Sequence, residues 1–244
     1  MCRHLAYLGP PIPLSALLFD PPHGLSHQSW APRDMRGGGT INADGFGVGW
    51  HTPAGPVRYR RATPLWSDAT LPGLAAATTA GSVLAAVRSA TVGMPVTETA
   101  AAPFGDGPWL FSHNGVVRGW PGSVAKLAGT LPVTDLLTLD APTDSALLWA
   151  LIRSRLHEGP AEAVATTVAE VERAAPGSRL NLLLTDGTTI VATAAGHALS
   201  VRDHNGVTVA SEPLDDDPAW QAVDDRTLLV AGPSGLRLTS LGDA

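Results

Sequence analysis

The sequence has very little cysteine and very little lysine. Its 244 residues include one cysteine, Cys2, and one lysine, Lys126, and the formal net charge is −6. A single cysteine excludes an internal disulfide. An acidic chain whose basic cluster is limited to Arg58, Arg60 and Arg61 is poorly equipped to neutralise several phosphates. We therefore expect no nucleic-acid partner.

Long hydrophobic runs are missing as well, and we expect no leader segment. The first residues, Met1-Cys2-Arg3-His4, lack the apolar segment of a signal peptide. Residues 69–87 carry no charge, but Pro72, Gly73 and Gly81 make them too weakly apolar to prefer lipid. We predict a short Ala-rich helix followed by a buried strand there. These features predict a cytoplasmic protein without a membrane partner.

The hydrophobic pattern predicts strands, two helices, and strands again. Residues 143–157 and 160–174 place apolar side chains at helical spacing, whereas the flanking parts show short alternating runs and Gly- or Pro-rich turns. This order predicts an α+β fold in which helices cover sheets. The length favours one large domain, over residues 2–244, rather than two small ones. Predicted strands cover residues 5–8, 45–51, 57–61, 82–88, 109–113, 180–185, 189–193, 198–202, 207–210, 227–231 and 236–239.

Cys2 is the first candidate for catalysis. If Met1 is removed, Cys2 carries a free α-amino group, whose pKa of about 8 suits it to accept the proton of the thiol. A lone cysteine near a terminus is more often a small buried apolar residue. Position alone therefore favours the structural interpretation.

His113, Asn114 and Gly115 form a second candidate at the end of a predicted strand. The Asn114 amide and the Gly115 N–H would suit an oxyanion hole, although Asn-Gly on its own is more typical of a hairpin turn. His113 is either a base for Cys2 or, more often in such a place, a hydrogen-bonded structural residue. The residues alone leave these alternatives open.

Arg88 and Asp144 suit the two charged groups of an amino acid. Arg88 ends an apolar strand, and its planar fork matches a carboxylate, with an internal salt bridge as the alternative. Asp144 follows Thr143 at the start of the first long helix. An N-cap and a favourable helix terminus explain both residues, while the functional alternative makes Asp144 the receptor for an ammonium group.

Patterns typical of cofactor and metal sites are missing. Residues 42–50 space their glycines as G-x-G-x-G ahead of a strand, whereas a dinucleotide fingerprint needs G-x-G-x-x-G ahead of a helix. Close packing of the backbone explains these glycines better. The histidines lack metal-binding spacing. We expect neither a cofactor nor a metal.

Together these motifs resemble the class II glutamine amidotransferases, a branch of the N-terminal nucleophile hydrolases. The matching elements, in the order of that family, are Cys2 and residues 42–45, 88–91, 113–115 and 143–145. The resemblance implies a four-layer αββα sandwich, with two antiparallel sheets between helical layers. It implies a small-molecule γ-glutamyl substrate and leaves a homo-oligomer open.

The same resemblance implies a role for each site residue. Cys2 would be the nucleophile and its α-amine the base, with Asn114 and Gly115 forming the oxyanion hole. The substrate-binding residues would be Arg88 and Thr91 at the α-carboxylate, Asp144 at the α-ammonium, and His113. Many family members have Trp and His in place of Ser89 and Val92, and Ile41 stands where arginine is common. These departures bear on whether free glutamine is the substrate.

A closer resemblance covers nearly the whole chain. Residues 1–9, 28–32, 87–95 and 210–215 are similar to the stand-alone γ-glutamyl hydrolases of ergothioneine biosynthesis. This implies cleavage of γ-glutamyl-hercynylcysteine S-oxide to glutamate and hercynylcysteine S-oxide. From the length of 244 residues we expect no ammonia-using synthase domain. The alternatives are a glutaminase subunit with a separate synthase chain, a general γ-glutamyl peptide hydrolase, and a binding module without turnover.

The pocket for the leaving group is not specified by the sequence. Residues 28–36, which lead into three glycines at 37–39, are a candidate lid or a surface loop. Trp30, Phe46 and Trp66 are candidates for contact with a trimethylammonium group, although core packing is the more usual role of such residues.

Overall fold

The computed structural model describes residues 2–34 and 41–242. The strands are β1 Arg3–Pro13, β2 Phe46–Thr52, β3 Gly55–Arg61, β4 Thr79–Val87, β5 Phe104–Asp106, β6 Trp109–Val116, β7 Arg179–Thr185, β8 Ile190–Ala194, β9 Ser200–Asp203, β10 Val207–Ala210, β11 Gln221–Ala222, β12 Thr227–Gly232 and β13 Gly235–Ser240. The helices are α1 Ser15–Leu18, α2 Leu25–Gln28, α3 Leu71–Ala77, α4 Ala125–Ala128, α5 Val133–Leu137, α6 Asp144–Ser154 and α7 Pro160–Ala174.

Across these ranges, the strands form two sheets with antiparallel pairing. One has seven strands in the order β11-β9-β10-β1-β4-β2-β3, and the other has six in the order β13-β12-β8-β7-β6-β5. Apolar side chains of both sheets, among them Leu84, Leu110 and Leu183, are buried in one shared cluster. Fully burying a side chain of this size stabilises the fold by about 1.5–3 kcal/mol. The sheets are therefore held face to face by this cluster.

Helices cover the outer face of each sheet. On the six-stranded sheet, Leu148 of α6 and Val168 of α7 share a buried cluster with Phe111. On the seven-stranded sheet, the shorter helices α1 to α3 contribute residues such as Leu17 and Leu71 to a separate buried cluster. This arrangement confirms the predicted αββα sandwich.

The uncharged segment at residues 69–87 divides as predicted. It forms α3 followed by β4, and β4 is almost entirely buried between its neighbouring strands. Of the helices in the described parts of the chain, none has the length and apolar character needed to cross a membrane.

The start of β1 is where both sheets converge. β1 lies between β4 and β10, and its pairing register places Arg3 opposite Val87. The ring Nδ1 of His4 lies 3.1 Å from the Ser112 hydroxyl of β6, which joins the two sheets at this point. Residues at the beginning of β1 and the ends of β4 and β6 therefore meet in one place.

Candidate active site

Cys2 lies at this convergence and lines a small cavity. Its thiol is 3.8 Å from the carbonyl oxygen of Ser89, and the side chain is partly buried. The walls of the cavity also include Arg88, His113 and Ser145. Three of the predicted site residues, from three different strands or strand ends, are thus brought together around the thiol.

Arg88 directly follows β4 and has no carboxylate partner within the described residues. Its backbone N–H donates to Gly45 (2.8 Å), and its Nη1 donates to the carbonyl oxygen of Pro95 (2.8 Å). The internal salt bridge considered from the sequence is therefore not formed in this part of the chain. Among the described residues, the remaining guanidinium N–H groups meet no acceptor, so they can bind a ligand.

The segment after Arg88 is fixed by Asp44, which belongs to the glycine-rich residues 42–45. Asp44 N–H donates to the Arg88 carbonyl (2.9 Å), and its Oδ2 accepts from Ala90 N–H (2.8 Å). The glycines that follow allow close packing, because a Cβ at Gly47 would lie 2.2 Å from the Ala102 carbonyl oxygen. The expected packing role of these glycines is confirmed, and the segment also positions residues 88–90.

His113 uses both ring nitrogens for hydrogen bonds inside the protein. Nε2 lies 2.9 Å from the carbonyl oxygen of Arg179, and Nδ1 lies 3.0 Å from the Ser145 hydroxyl. A carbonyl only accepts, so Nε2 donates to Arg179, while the Ser145 hydroxyl that meets Nδ1 also lies 3.4 Å from Asp144 Oδ1. His113 therefore offers the cavity the surface of its ring rather than a free nitrogen.

Asn114 and Gly115 lie within β6, not in a turn. Pairing with β7 continues through Val116, which lies opposite Arg179, so the chain cannot reverse at Asn-Gly. A Cβ at Gly115 would lie 1.8 Å from the Arg179 carbonyl oxygen and 2.6 Å from His113 Nε2. The glycine is required by this close approach.

The Asn114 amide is held by Ser211, a residue that the motif analysis did not assign to the site. Asn114 Nδ2 donates to Ser211 Oγ (3.2 Å), and Ser211 Oγ also accepts from His4 N–H (3.0 Å). The Ser211 hydroxyl donates its own proton to the His4 carbonyl (3.3 Å). Because that proton is used, Ser211 can only accept from Asn114, which fixes the direction of the amide.

Asp144 begins α6 and is almost fully buried. Its Oδ2 accepts from Val117 N–H (3.0 Å), and its Oδ1 accepts from its neighbour Ser145 N–H (2.8 Å). Thr143 caps the helix by accepting from Ala146 N–H (3.2 Å), as the sequence predicted. Each carboxylate oxygen keeps further lone pairs, so binding of an ammonium group is compatible with these bonds.

Thr91 lies on a separate, larger cleft of about 590 Å³ beside the Cys2 cavity. The cleft runs between residues 91–94 and residues 116–121, and Arg179 forms part of its wall. The two spaces are neighbours, because His113, which lines the Cys2 cavity, is hydrogen-bonded to the backbone of Arg179. The structure thus places Thr91 near the other site residues but on a different surface.

Arg179 is positioned by His197, and neither residue belongs to a motif predicted from the sequence. Arg179 Nε donates to His197 Nε2 (2.9 Å). Burial and the adjacent Arg179 guanidinium lower the pKa of His197 from 6.5 to about 4. The ring is therefore neutral at pH 7 and can accept this hydrogen bond. An arginine at the start of β7 and a histidine in the loop between β8 and β9 gave no motif by which the pair could be found.

The candidates for a leaving-group contact divide into buried and exposed residues. Phe46 is fully buried and packs in the core while also lining the Cys2 cavity, whereas Trp30 and Trp66 are 50% and 44% exposed. Residues 35–40, which include the end of the predicted lid and its glycines, lie outside the described residues.

Comparison with known proteins gives a consistent result. The family "Glutamine amidotransferases class-II" matches residues 14–205. A γ-glutamyl-hercynylcysteine sulfoxide hydrolase from Mycolicibacterium smegmatis is 46% identical over 94% of this chain and 95% of its own. A protein of the same name from Mycobacterium tuberculosis is 43% identical over 100% of this chain and 98% of its own.

Solved structures share the fold. A glutamine aminotransferase class-II domain protein from Silicibacter pomeroyi has a TM-score of 0.72 at 26% identity and covers 99% of this chain and 100% of its own. The glutamine phosphoribosylpyrophosphate amidotransferase from B. subtilis has a TM-score of 0.71 at 14% identity, covering 100% of this chain and 50% of its own. At that identity the second likeness concerns the fold alone.

Proposed function

The chain belongs to the class II glutamine amidotransferases, and on that premise we propose that it is an amidohydrolase that cleaves the γ-glutamyl amide of γ-glutamyl-hercynylcysteine S-oxide. The products are glutamate and hercynylcysteine S-oxide, as in ergothioneine biosynthesis. Full-length similarity to hydrolases of that name supports the substrate. A cytoplasmic location is part of the same proposal.

The observation that carries the proposal is the cavity around the Cys2 thiol. It combines a nucleophile with the Arg88 guanidinium, which has no carboxylate partner in the described residues. A buried or half-buried arginine without an anion is costly unless a ligand supplies one. The α-carboxylate of a γ-glutamyl group meets that need, with Thr91 assisting and Asp144 receiving the α-ammonium.

The reaction then proceeds through a thioester. Once Met1 is removed, the α-amine of Cys2 takes the thiol proton, and Sγ attacks the γ-carbonyl carbon. Asn114 Nδ2 and Gly115 N–H stabilise the oxyanion. The C–N bond breaks as the proton passes to the leaving nitrogen, which gives a glutamyl thioester. Water attacks the thioester, the C–S bond breaks, and glutamate and the free thiol are released.

Substrate competition tests this proposal. Purified protein is given equal concentrations of the γ-glutamyl sulfoxide and glutamine, and both products are followed by mass spectrometry. We expect the sulfoxide to be consumed much faster, because Arg88 and Asp144 serve both substrates and the leaving group alone differs. Preference for glutamine, or activity that needs a partner chain, would favour the glutaminase-subunit alternative.

Two controls separate catalysis from binding. Intact mass measurement of the purified protein should show loss of Met1, and retention of Met1 would remove the proposed base. Cys2→Ala should abolish turnover while γ-glutamyl binding, measured by calorimetry, persists. Turnover by Cys2→Ala would contradict the assignment of the nucleophile.

A further inference from the structure

The cleft beside the Cys2 cavity has an unusual distribution of charge. The charged residues that line it are Arg118 and Arg179, with no acidic residue among the lining residues. The chain as a whole has a net charge of −6. A local excess of positive charge on an acidic protein favours an anionic ligand at this surface.

Neither arginine has a carboxylate partner within the described residues. Arg118 Nε donates to the Gly177 carbonyl (3.3 Å) from an exposed position, whereas Arg179 Nε donates to the His197 ring (2.9 Å) from a partly buried one. Because His197 is uncharged at neutral pH, it orients the guanidinium without neutralising it. The guanidinium group of Arg179 is thus fixed in position and keeps its positive charge. Its planar N–H groups match a carboxylate in two parallel hydrogen bonds.

Arg179 is connected to the Cys2 cavity through His113. Its backbone oxygen accepts from His113, which lines the Cys2 cavity, and Thr91 of the same cleft follows the segment whose Ser89 carbonyl lies at the thiol. The walls of the cleft and of the Cys2 cavity are therefore connected through His113 and through residues 89–91. The volume of about 590 Å³ is within the range of small-molecule sites.

From these observations we propose that Arg179 binds a carboxylate of the leaving group and so selects γ-glutamyl amino acids over glutamine. The inference rests on the proposed γ-glutamyl hydrolase activity and adds its specificity. In the sulfoxide substrate, the cysteine carboxylate is attached one carbon from the scissile nitrogen, whereas glutamine releases ammonia and offers no such group. The other source of a carboxylate is the glutamyl end, which the proposed function assigns to Arg88 with Thr91; because Thr91 also lines this cleft, the experiment has to separate the two carboxylates.

A matched pair of substrates tests the inference on the unaltered enzyme. γ-Glutamylglycine and γ-glutamylethylamide share the glutamyl end and differ in whether the leaving group ends in a carboxylate or a methyl group. We expect kcat/KM to be at least ~10-fold higher for γ-glutamylglycine, as a charge-assisted hydrogen-bonded pair would give. Equal values would overturn the proposal without any variant being made.

Arg179→Gln then assigns the effect to a residue. We expect the ratio of kcat/KM for γ-glutamylglycine to kcat/KM for γ-glutamylethylamide to fall by roughly 10-fold or more. The KM for the γ-glutamyl sulfoxide should rise. Arg118→Gln, which removes the same charge from an exposed position on the cleft, should change the ratio by less than about 2-fold. Circular dichroism and thermal unfolding confirm that both variants fold.

The remaining outcomes separate the possible sources of failure. Equal loss on both small substrates in Arg179→Gln would place the glutamyl carboxylate, not the leaving group, at Arg179 and would overturn the proposal. If Arg118→Gln and Arg179→Gln change the ratio equally, the preference comes from the overall positive charge of the cleft and not from Arg179. That result would overturn the proposal as well. If the sulfoxide is not cleaved but the γ-glutamylglycine preference holds and depends on Arg179, the proposed function fails while this inference stands.

Discussion

The Arg88 side chain is the residue on which recognition of the glutamyl end depends most directly. Within residues 2–34 and 41–242, its side chain makes one hydrogen bond, to the Pro95 carbonyl, and most of the guanidinium meets no protein acceptor there. A side chain with few internal bonds contributes little to folding and much to a ligand that satisfies it. Its loss should therefore affect binding more than stability.

We predict that Arg88→Ala raises the KM for every γ-glutamyl substrate by roughly 10- to 100-fold and leaves the melting temperature nearly unchanged. Arg58→Ala is a matched control, because Arg58 also donates to a proline carbonyl, that of Pro103 (3.4 Å), but lies on β3 away from Cys2. Steady-state kinetics and thermal unfolding measure both effects. An unfolded Arg88→Ala would mean that the residue is structural.

Ser211 acts through Asn114 and is a positioning residue. We predict that Ser211→Ala lowers kcat by about 10-fold with KM changed less than about 2-fold, because the oxyanion donor loses its fixed direction while substrate binding is retained. Ser112→Ala is the control, since it removes another buried hydroxyl bonded to His4 without touching Asn114. A rise in KM alone, or an equal loss of kcat in Ser112→Ala, would contradict this role.

At the scale of elements, β6 combines a structural and a functional requirement in adjacent residues. Asn114 faces Ser211, whereas the backbone at Gly115 passes so close to β7 that no side chain fits. The pairing of β6 with β7 therefore fixes where the proposed oxyanion donors lie. Any change that separates these two strands would move the donors relative to Cys2.

We predict that Gly115→Ala destabilises the protein by about 1–3 kcal/mol, as forced overpacking does, and lowers kcat in the fraction that folds. The introduced methyl would meet the Arg179 carbonyl oxygen and the His113 ring. Gly122→Ala is the control, since a Cβ there meets nothing within 4 Å. Urea unfolding gives the free energies, and equal stability of the two variants would show that β7 yields at no cost.

The elements that local pattern specifies were predicted well, and those that depend on tertiary contacts were not. The predicted helix at residues 160–174 coincides with α7, because its apolar spacing and its proline and glycine boundaries are local signals. The two-residue strand β11 and the three-residue strand β5 were missed, since so few residues show no period. Asn114-Gly115 suggested a turn, but pairing with β7 overrides that local preference.

The site shows the same division. Cys2, Arg88 and His113 were predicted and do meet in one cavity, whereas Ser211, Arg179 and His197 were not assigned. The former group lies in motifs that resemble a family. The latter becomes related to the site only through sheet pairing between distant parts of the chain. The assigned roles and the single-domain organisation stay predictions until they are measured.

At the scale of the whole molecule, two buried histidines make the stability of the fold depend on pH. The pKa of His4 is lowered well below 6.5 by complete burial and by the positive charge that His113, His197 and Arg3 can carry. The pKa of His197 is lowered to about 4 by burial beside Arg179. Unfolding returns the pKa of both histidines to the ordinary value of 6.5. Between the lowered pKa values and 6.5, the unfolded chain therefore binds more protons than the folded protein. Protonation therefore favours unfolding in that range.

We predict that stability is constant with respect to these groups above about pH 7 and falls as pH drops from 6.5 towards 4. Urea unfolding at pH 7.5, 6.0 and 5.0 measures the slope. His197→Gln should reduce it, because one of the two groups is removed, while His157→Gln, at an exposed position on the surface, should leave it unchanged. A slope unaffected by His197→Gln would show that other groups dominate.

The antiparallel path of β1 between β4 and β10 has a consequence for synthesis of the protein. Cys2 emerges from the ribosome before the residues that surround it in the fold, which are Arg88, the end of β6, and Ser211 after β10. A nascent or truncated chain that ends before Ser211 leaves the Asn114 amide without its acceptor. The proposed nucleophile is therefore synthesised long before the proposed oxyanion donor can be oriented, because Asn114 waits for Ser211 to fold back against it.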